Sequence, residues 1–262
     1  MNQIKWVHNH MPKTDNSFIQ IMRTENISKA IAFHKSFPQY KRTPLHSLSN
    51  MASFLGVQNI YVKDESYRFG LNAFKVLGGS YAMGCYIAKK LGKDVSELSY
   101  ETLISKELTK ELGEITFFTA TDGNHGRGIA WAANKLNQKA VIYMPRGSSE
   151  VRLENIKKEG ADAFIKDANY DECVRIAIDS SLKVPNSVVI QDTAWEGYEE
   201  IPSWIMQGYG TMAAEAEAQL REYKSGAPTH IFIQAGVGSL AGAVQGYFAN
   251  IYKENPPTVI VV

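Results

Sequence analysis

The chain has 262 residues, 44% of them hydrophobic and 21% charged, with a formal net charge of +1. That length buries a large core, as one domain or two lobes, and the balanced charge gives no electrostatic case for nucleic acid or an acidic membrane surface. Two widely spaced cysteines, Cys85 and Cys173, without a CxxC pattern, argue against a disulfide framework or a zinc site, so no metal is expected and a reducing compartment fits.

In chain order, the first residues carry Lys5, His8, His10, Lys13 and Asp15 and no continuous apolar core, which reads against a secretory signal. No apolar run approaches the roughly 18 residues of a membrane span, so a soluble, cytoplasmic protein is expected. Ile60–Lys63 is predicted as a short strand, and Gly78 to Leu91 as a helix of small and apolar residues. Asp94 to Gly113 reads as a polar helical stretch opened by an Asp94–Glu97 capping pair. Strands are predicted at Ile115–Phe118, Ala140–Met144, Ala163–Ile165 and Val188–Ile190. Helices are predicted between them: Gly126 to Gln138, Ser148 or Ser149 to Gly160, and Tyr170 to Leu182. The last of these places Cys173, Val174, Ala177 and Ile178 on one face. Residues 85–193 therefore form a run of βα units, whose short apolar strands imply a parallel sheet covered on both faces.

A loop from Trp195 to Trp204 follows, then a helix from Gly210 to Tyr223, the strand Ile231–Ile233, a helix from Leu240 to Tyr252 and a terminal strand, Thr258–Val262. An apolar strand left bare is an aggregation-prone edge. The expectation is that the domain normally continues past it.

Four segments carry chemistry. Lys75 lies between Phe74 and Val76-Leu77-Gly78-Gly79; apolar neighbours favour the neutral, nucleophilic amine that a Schiff base needs. Asp122-Gly123-Asn124-His125-Gly126 joins a strand to a helix, at the strand end where α/β sheets bind ligands. There Asp122 suits a general base and Asn124 a contact to a phenolic oxygen, while His125 reads as a structural hydrogen-bonder. The same segment also has the composition of an ordinary turn. Gly236-Val237-Gly238-Ser239-Leu240-Ala241 fits GxGxxA between strand and helix, a set of free backbone N–H groups suited to any phosphate. Gln191–Tyr198, after another strand, reads either as a plain loop anchored by its tryptophan or as the place of a second carboxylate, Asp192, for a cationic substrate group.

Taken together, these segments resemble the fold type II pyridoxal phosphate (PLP) enzymes, the group of the serine and threonine dehydratases, and within it the diaminopropionate ammonia-lyases. The resemblance runs from Arg42-Thr43-Pro44-Leu45 through Val262. Where dehydratases carry Ala-Gly-Asn-His, this chain has Asp122-Gly123-Asn124-His125; the aspartate marks the ammonia-lyases, as does Asp192-Thr193-Ala194-Trp195-Glu196-Gly197-Tyr198.

The resemblance implies two open α/β lobes with parallel sheets. The larger (1–84 with 194–262) is incomplete at its C-terminal end, and the smaller spans 85–193. It implies α,β-elimination of D- and L-2,3-diaminopropionate to pyruvate and ammonia. Lys75 would hold PLP, Asn124 would contact its 3′ oxygen, and Gly236, Val237, Gly238, Ser239 and Leu240 would cradle its phosphate. Lys75 and Asp122 would serve as bases on opposite faces, with Asp192 engaging the substrate's amino group or assisting at the D face. The partners implied are a small amino acid and a second copy in a homodimer, with no nucleic acid and no membrane. A serine or threonine dehydratase, a nicotinamide enzyme built around the GxGxxA loop and a non-catalytic fragment of the family are the alternatives.

Overall fold

The computed structural model of the chain describes residues 4–9 and 17–262; His10, Lys13 and Asp15 of the polar start lie outside them. Helices α1 (Ser17–Gln20) and α2 (Thr24–Ser36) lead into a two-stranded antiparallel pair, β1 (Leu45–Ser47) and β2 (Tyr61–Lys63), with α3 (Ser49–Leu55) between its strands. The chain then turns sharply, with Phe69, Gly70 and Asn72 all at positive φ (48°, 74° and 55°).

Helix α4 (Lys75–Lys90) starts at the lysine itself, three residues before the predicted start at Gly78. The expected start read the glycines as the opening of the helix. They are instead its crossing points, because a Cβ on Gly78 would lie 2.6 Å from the Ile205 and Tyr209 side chains.

The polar stretch after α4 is not one helix. Asp94 and Glu97 form the expected capping box on a single 3-10 turn, Val95–Glu97. Ser99 and Ser105 then each cap a new short helix, α5 (Tyr100–Leu103) and α6 (Lys106–Leu112). Serine side chains that accept backbone N–H bonds favour restarting a helix over continuing it.

The βα run follows: β3 (Thr116–Ala120), α7 (Asn124–Lys135), β4 (Lys139–Met144), α8 (Glu150–Lys158), β5 (Asp162–Ile165), α9 (Tyr170–Ser181) and β6 (Ser187–Val189). Its strands make an all-parallel sheet in the order β5-β4-β3-β6. Alternation along β3 splits the two faces. Phe117 joins the main core with α4 and α7, while Phe118 packs with Cys173 and Ala177 of α9. Both cysteines are free and buried.

Helix α10 (Glu200–Glu222) begins ten residues before the expected Gly210 and takes in the second half of the predicted loop. Pro202 sits in its first turn, where the missing N–H would have had no helical partner. What remains of the loop is closed by Trp195 stacked on Tyr198, with centroids 4.0 Å apart. The chain finishes with β7 (His230–Ile233), α11 (Ser239–Ile251) and β8 (Thr258–Val261); β7 and β8 pair in parallel, leaving Phe232 and Val261 exposed.

Helix α4 organises the molecule. It packs on α10 on one side and on α7 on the other, and position 84/85 falls inside it. Glycines permit both approaches: a Cβ on Gly208 would lie 2.4 Å from Leu77 O, and one on Gly128 would lie 2.8 Å from Val76 Cα. Contacts this close fix the first turn of α4, and with it Lys75. Among the described residues no helix is long and apolar enough to cross a membrane.

Candidate functional site

Three strand-to-helix connections and the start of α4 surround one cleft of about 280 Å³. Lys75, Asp122, Asn124, Asp192 and Gly236 to Leu240 all line it. The sequence therefore names residues from four distant segments that the fold brings to one place.

The turn after β3 is set by Thr121. Its Oγ1 accepts the N–H of Gly123 at 2.9 Å and that of Gly126 at 3.1 Å. This bond pair folds the backbone over and turns Asp122 and Asn124 outward into the cleft, both exposed. Gly126 has no room for a side chain, since a Cβ would lie 2.3 Å from Thr121 Cγ2. Arg152, from α8, reaches across Gly123 and donates to Asp122 O at 3.0 Å.

The turn after β6 buries Gln191 completely. Its Oε1 accepts from Ala120 N and Thr119 Oγ1, and its Nε2 donates to Tyr170 and Ala120 O. Tyr198 donates to Val189 O and accepts from Gln191 N. So braced, Asp192 is only 2% exposed and receives Lys75 Nζ on Oδ2 at 2.6 Å. The apolar seat expected for Lys75 is thus incomplete: its side chain is 29% exposed and its amine rests on a buried carboxylate. Burial by itself would raise the Asp192 carboxyl, but His125 and Lys75 outweigh it and hold it below the ordinary carboxylate range.

His125 is buried and donates from Nε2 to Ile190 O at 2.8 Å, the structural bond expected of it. Its Nδ1 has no hydrogen-bond partner and stands 3.8 Å from Asp192 Oδ2. Burial lowers its pKa and Lys75 adds to this, against the pull of Asp192.

Two cleft residues escaped the sequence reading. Arg152 looked like any exposed helix residue. Tyr209 is buried with its hydroxyl unpartnered, its ring edge-on to Phe74 at 5.1 Å. The flanking glycines of Gly208-Tyr209-Gly210 were the available signal, because paired glycines around an aromatic mark a close backbone approach.

The glycine-rich loop closes the far wall. Gly238 caps α11 at φ 93°, and the first-turn N–H groups have no partner within the helix. A Cβ on Gly236 or Gly238 would meet nothing within 4 Å, so the loop is open to a ligand. An amine at one side and an N–H cradle at the other fit a cofactor carrying both a carbonyl and a phosphate. The unpartnered hydroxyl of Tyr209, which lines the same cleft, fits an occupied cleft.

The chain is similar to known proteins over most of its length. The family described as "Pyridoxal-phosphate dependent enzyme" matches residues 37–262. The chain is 55% identical over 234 residues to a diaminopropionate ammonia-lyase of Salmonella typhimurium, covering 89% of this chain and 58% of that protein. It is 49% identical over 231 residues to the Escherichia coli K12 enzyme of the same name, covering 87% and 56%. The crystal structure of the E. coli enzyme in complex with D-serine superposes with a TM-score of 0.86 at 45% identity, over 95% of this chain and 63% of that one. The chain thus spans a little over half the length of the curated relatives it matches. By the family match and by the cleft, the chain belongs to the pyridoxal-phosphate-dependent enzymes of fold type II.

Proposed function

We propose that the chain carries the cofactor site of a carbon–nitrogen lyase that eliminates ammonia from D- and L-2,3-diaminopropionate, leaving pyruvate. The observation that carries this reading is the shared cleft: one amine, two carboxylates and a free N–H loop. Bound PLP supplies an electron sink for the pair left behind when the Cα proton departs.

The remaining roles belong to the chain. Lys75 would hold the cofactor covalently, Asn124 would bond its phenolic oxygen, and Gly236, Val237, Gly238, Ser239 and Leu240 would take its phosphate. As a free amine, Lys75 would accept the Cα proton of the L isomer, and Asp122 would accept that of the D isomer from the other face. Asp192 receives the substrate's second ammonium. At an effective dielectric near 20, a carboxylate about 4 Å from that cation gains roughly 4 kcal/mol before desolvation. Serine, which lacks the cation, gains none of it. The names of the two relatives support this substrate, and the D-serine complex supports a site open to D isomers.

The two-lobe division, 85–193 against 1–84 with 194–262, belongs to the same proposal, with α4 bridging the lobes. So do a homodimer and a cytoplasmic setting, the first checked by light scattering.

The test is the visible spectrum of the chain after PLP addition and desalting, followed by pyruvate release from each isomer and from serine. A retained band that changes with diaminopropionate, and pyruvate from both isomers faster than from serine, supports the reading. A faster rate on serine points to a dehydratase. An absent band removes the cofactor site.

A further inference from the structure

We propose that His125 is the proton acceptor that frees the Lys75 amine, working through Asp192. This rests on the reading of Lys75 as the nucleophile. An ammonium has no lone pair to attack a carbonyl, so Lys75 must first lose a proton. Among the described residues, the acceptor hydrogen-bonded to its amine is Asp192 Oδ2, at 2.6 Å. Left there, the proton would neutralise a buried carboxylate that its surroundings hold below the ordinary carboxylate range.

The geometry offers an onward acceptor on the same oxygen. His125 Nδ1 lies 3.8 Å from Asp192 Oδ2, fully buried and without a partner. The tautomer follows from the other nitrogen. Ile190 O can only accept, so Nε2 carries the ring hydrogen, and the neutral ring's lone pair is on Nδ1. A lone pair facing a carboxylate is a poor resting contact and becomes a good one when a proton arrives.

The step balances. An N–H bond of Lys75 breaks and an O–H bond forms on Asp192; that O–H bond then breaks as an N–H bond forms on His125 Nδ1. The amine gains a lone pair, the carboxylate is restored and the imidazole becomes an imidazolium, with no change of oxidation state. Rotation of the Asp192 carboxylate must close 3.8 Å to a hydrogen-bonding distance of about 2.8 Å. The site holds one anion and one cation before and after the transfer and neither in between, so no isolated charge is ever stranded.

Charge on Lys75 and charge on His125 are thereby coupled. Asp122, Asp192 and Lys75 are the charged groups acting on His125, while Tyr170 and Tyr209 face Asp192 with hydroxyls that burial keeps protonated. Of these, Lys75 alone opposes a proton on the ring. Removing its charge moves His125 toward the imidazolium.

The test reads the ring directly, without cofactor. Histidine ring ¹⁵N spectra of the wild-type chain and of Lys75→Met are followed from pH 5 to 9. Neutral His125 with hydrogen on Nε2 is expected at pH 7 in the wild type. In Lys75→Met the titration midpoint is expected to rise by at least one pH unit, a tenfold gain in proton affinity. An unchanged midpoint overturns the relay.

A second measurement keeps the two proposals separable. Wild type and His125→Gln, which retains a donor for Ile190 O, are mixed with PLP, reduced with borohydride and mapped by mass spectrometry. Label absent from Lys75 in the wild type sinks the nucleophile reading itself. Label on Lys75 that forms at least tenfold more slowly at pH 7 in His125→Gln, and recovers at higher pH, supports the relay. Equal rates at every pH overturn it.

Discussion

Lys75 is held at both ends, by the helix that starts at its backbone and by Asp192 at its amine. Lys75→Ala should therefore abolish the retained cofactor band while leaving the fold intact. A band that survives desalting would move the covalent link to another lysine. Asp122 is held differently. Its backbone is fixed by the Thr121 turn and by Arg152, while its carboxylate faces the open cleft. Asp122→Asn keeps the shape and removes the base, so turnover of the D isomer should fall by about 10²-fold or more, with the L isomer much less affected. Equal losses for both isomers would end the assignment of faces.

The glycine contacts on α4 set the next scale. Because Gly208 meets backbone atoms, with Leu77 O 2.4 Å from its would-be Cβ, no side-chain rotation can relieve a methyl there. Gly208→Ala should cost about 1–3 kcal/mol, seen as a melting temperature lower by several degrees, and should weaken PLP retention as α4 shifts. An unchanged melting temperature would show that the helices part freely.

These elements also show what a sequence discloses. The strand expected at Ile115–Phe118 was legible, though it runs from Thr116 to Ala120, because short apolar runs between turns have few other readings. The turn at Asp122–Gly126 was legible because glycine, asparagine and aspartate at a strand end have a specific backbone use. The start of α10 was hidden by Pro202, which reads as a breaker unless its place in the first turn is known. Tyr209 and the Lys75–Asp192 pair were hidden for a different reason. Both depend on which helices cross, and local pattern carries no information about contacts between positions 117 residues apart.

Over the whole molecule, the segment leading to Lys75 is tied to α10 by buried charges. Arg68 bonds Glu65 and Glu215, and Lys63 bonds Glu215 at 2.7 Å. Burial would raise the Glu215 carboxyl, but the Arg68 and Lys63 contacts outweigh it and bring it from the ordinary 4.5 to about 2. A lowered carboxyl stabilises the fold fully above its unfolded value and loses that contribution as pH falls toward the folded one. Wild-type stability in urea should thus decline between pH 4.5 and about 2, and Glu215→Gln should flatten that decline. The same variant strands two buried cations on a single remaining carboxylate, at a cost on the order of 3 kcal/mol at neutral pH. A variant as stable as wild type at neutral pH would leave the network without a structural role.

The Lys75–Asp192 pair also sets a clock. Its two residues are separated by 117 positions, and synthesis adds about 5–20 residues per second, so Asp192 is joined roughly 6–23 s after Lys75. During that interval the nascent lysine has neither its carboxylate nor α10 behind it. A cofactor aldehyde that meets the chain then finds one amine among many. Selective capture begins only when translation has passed α10.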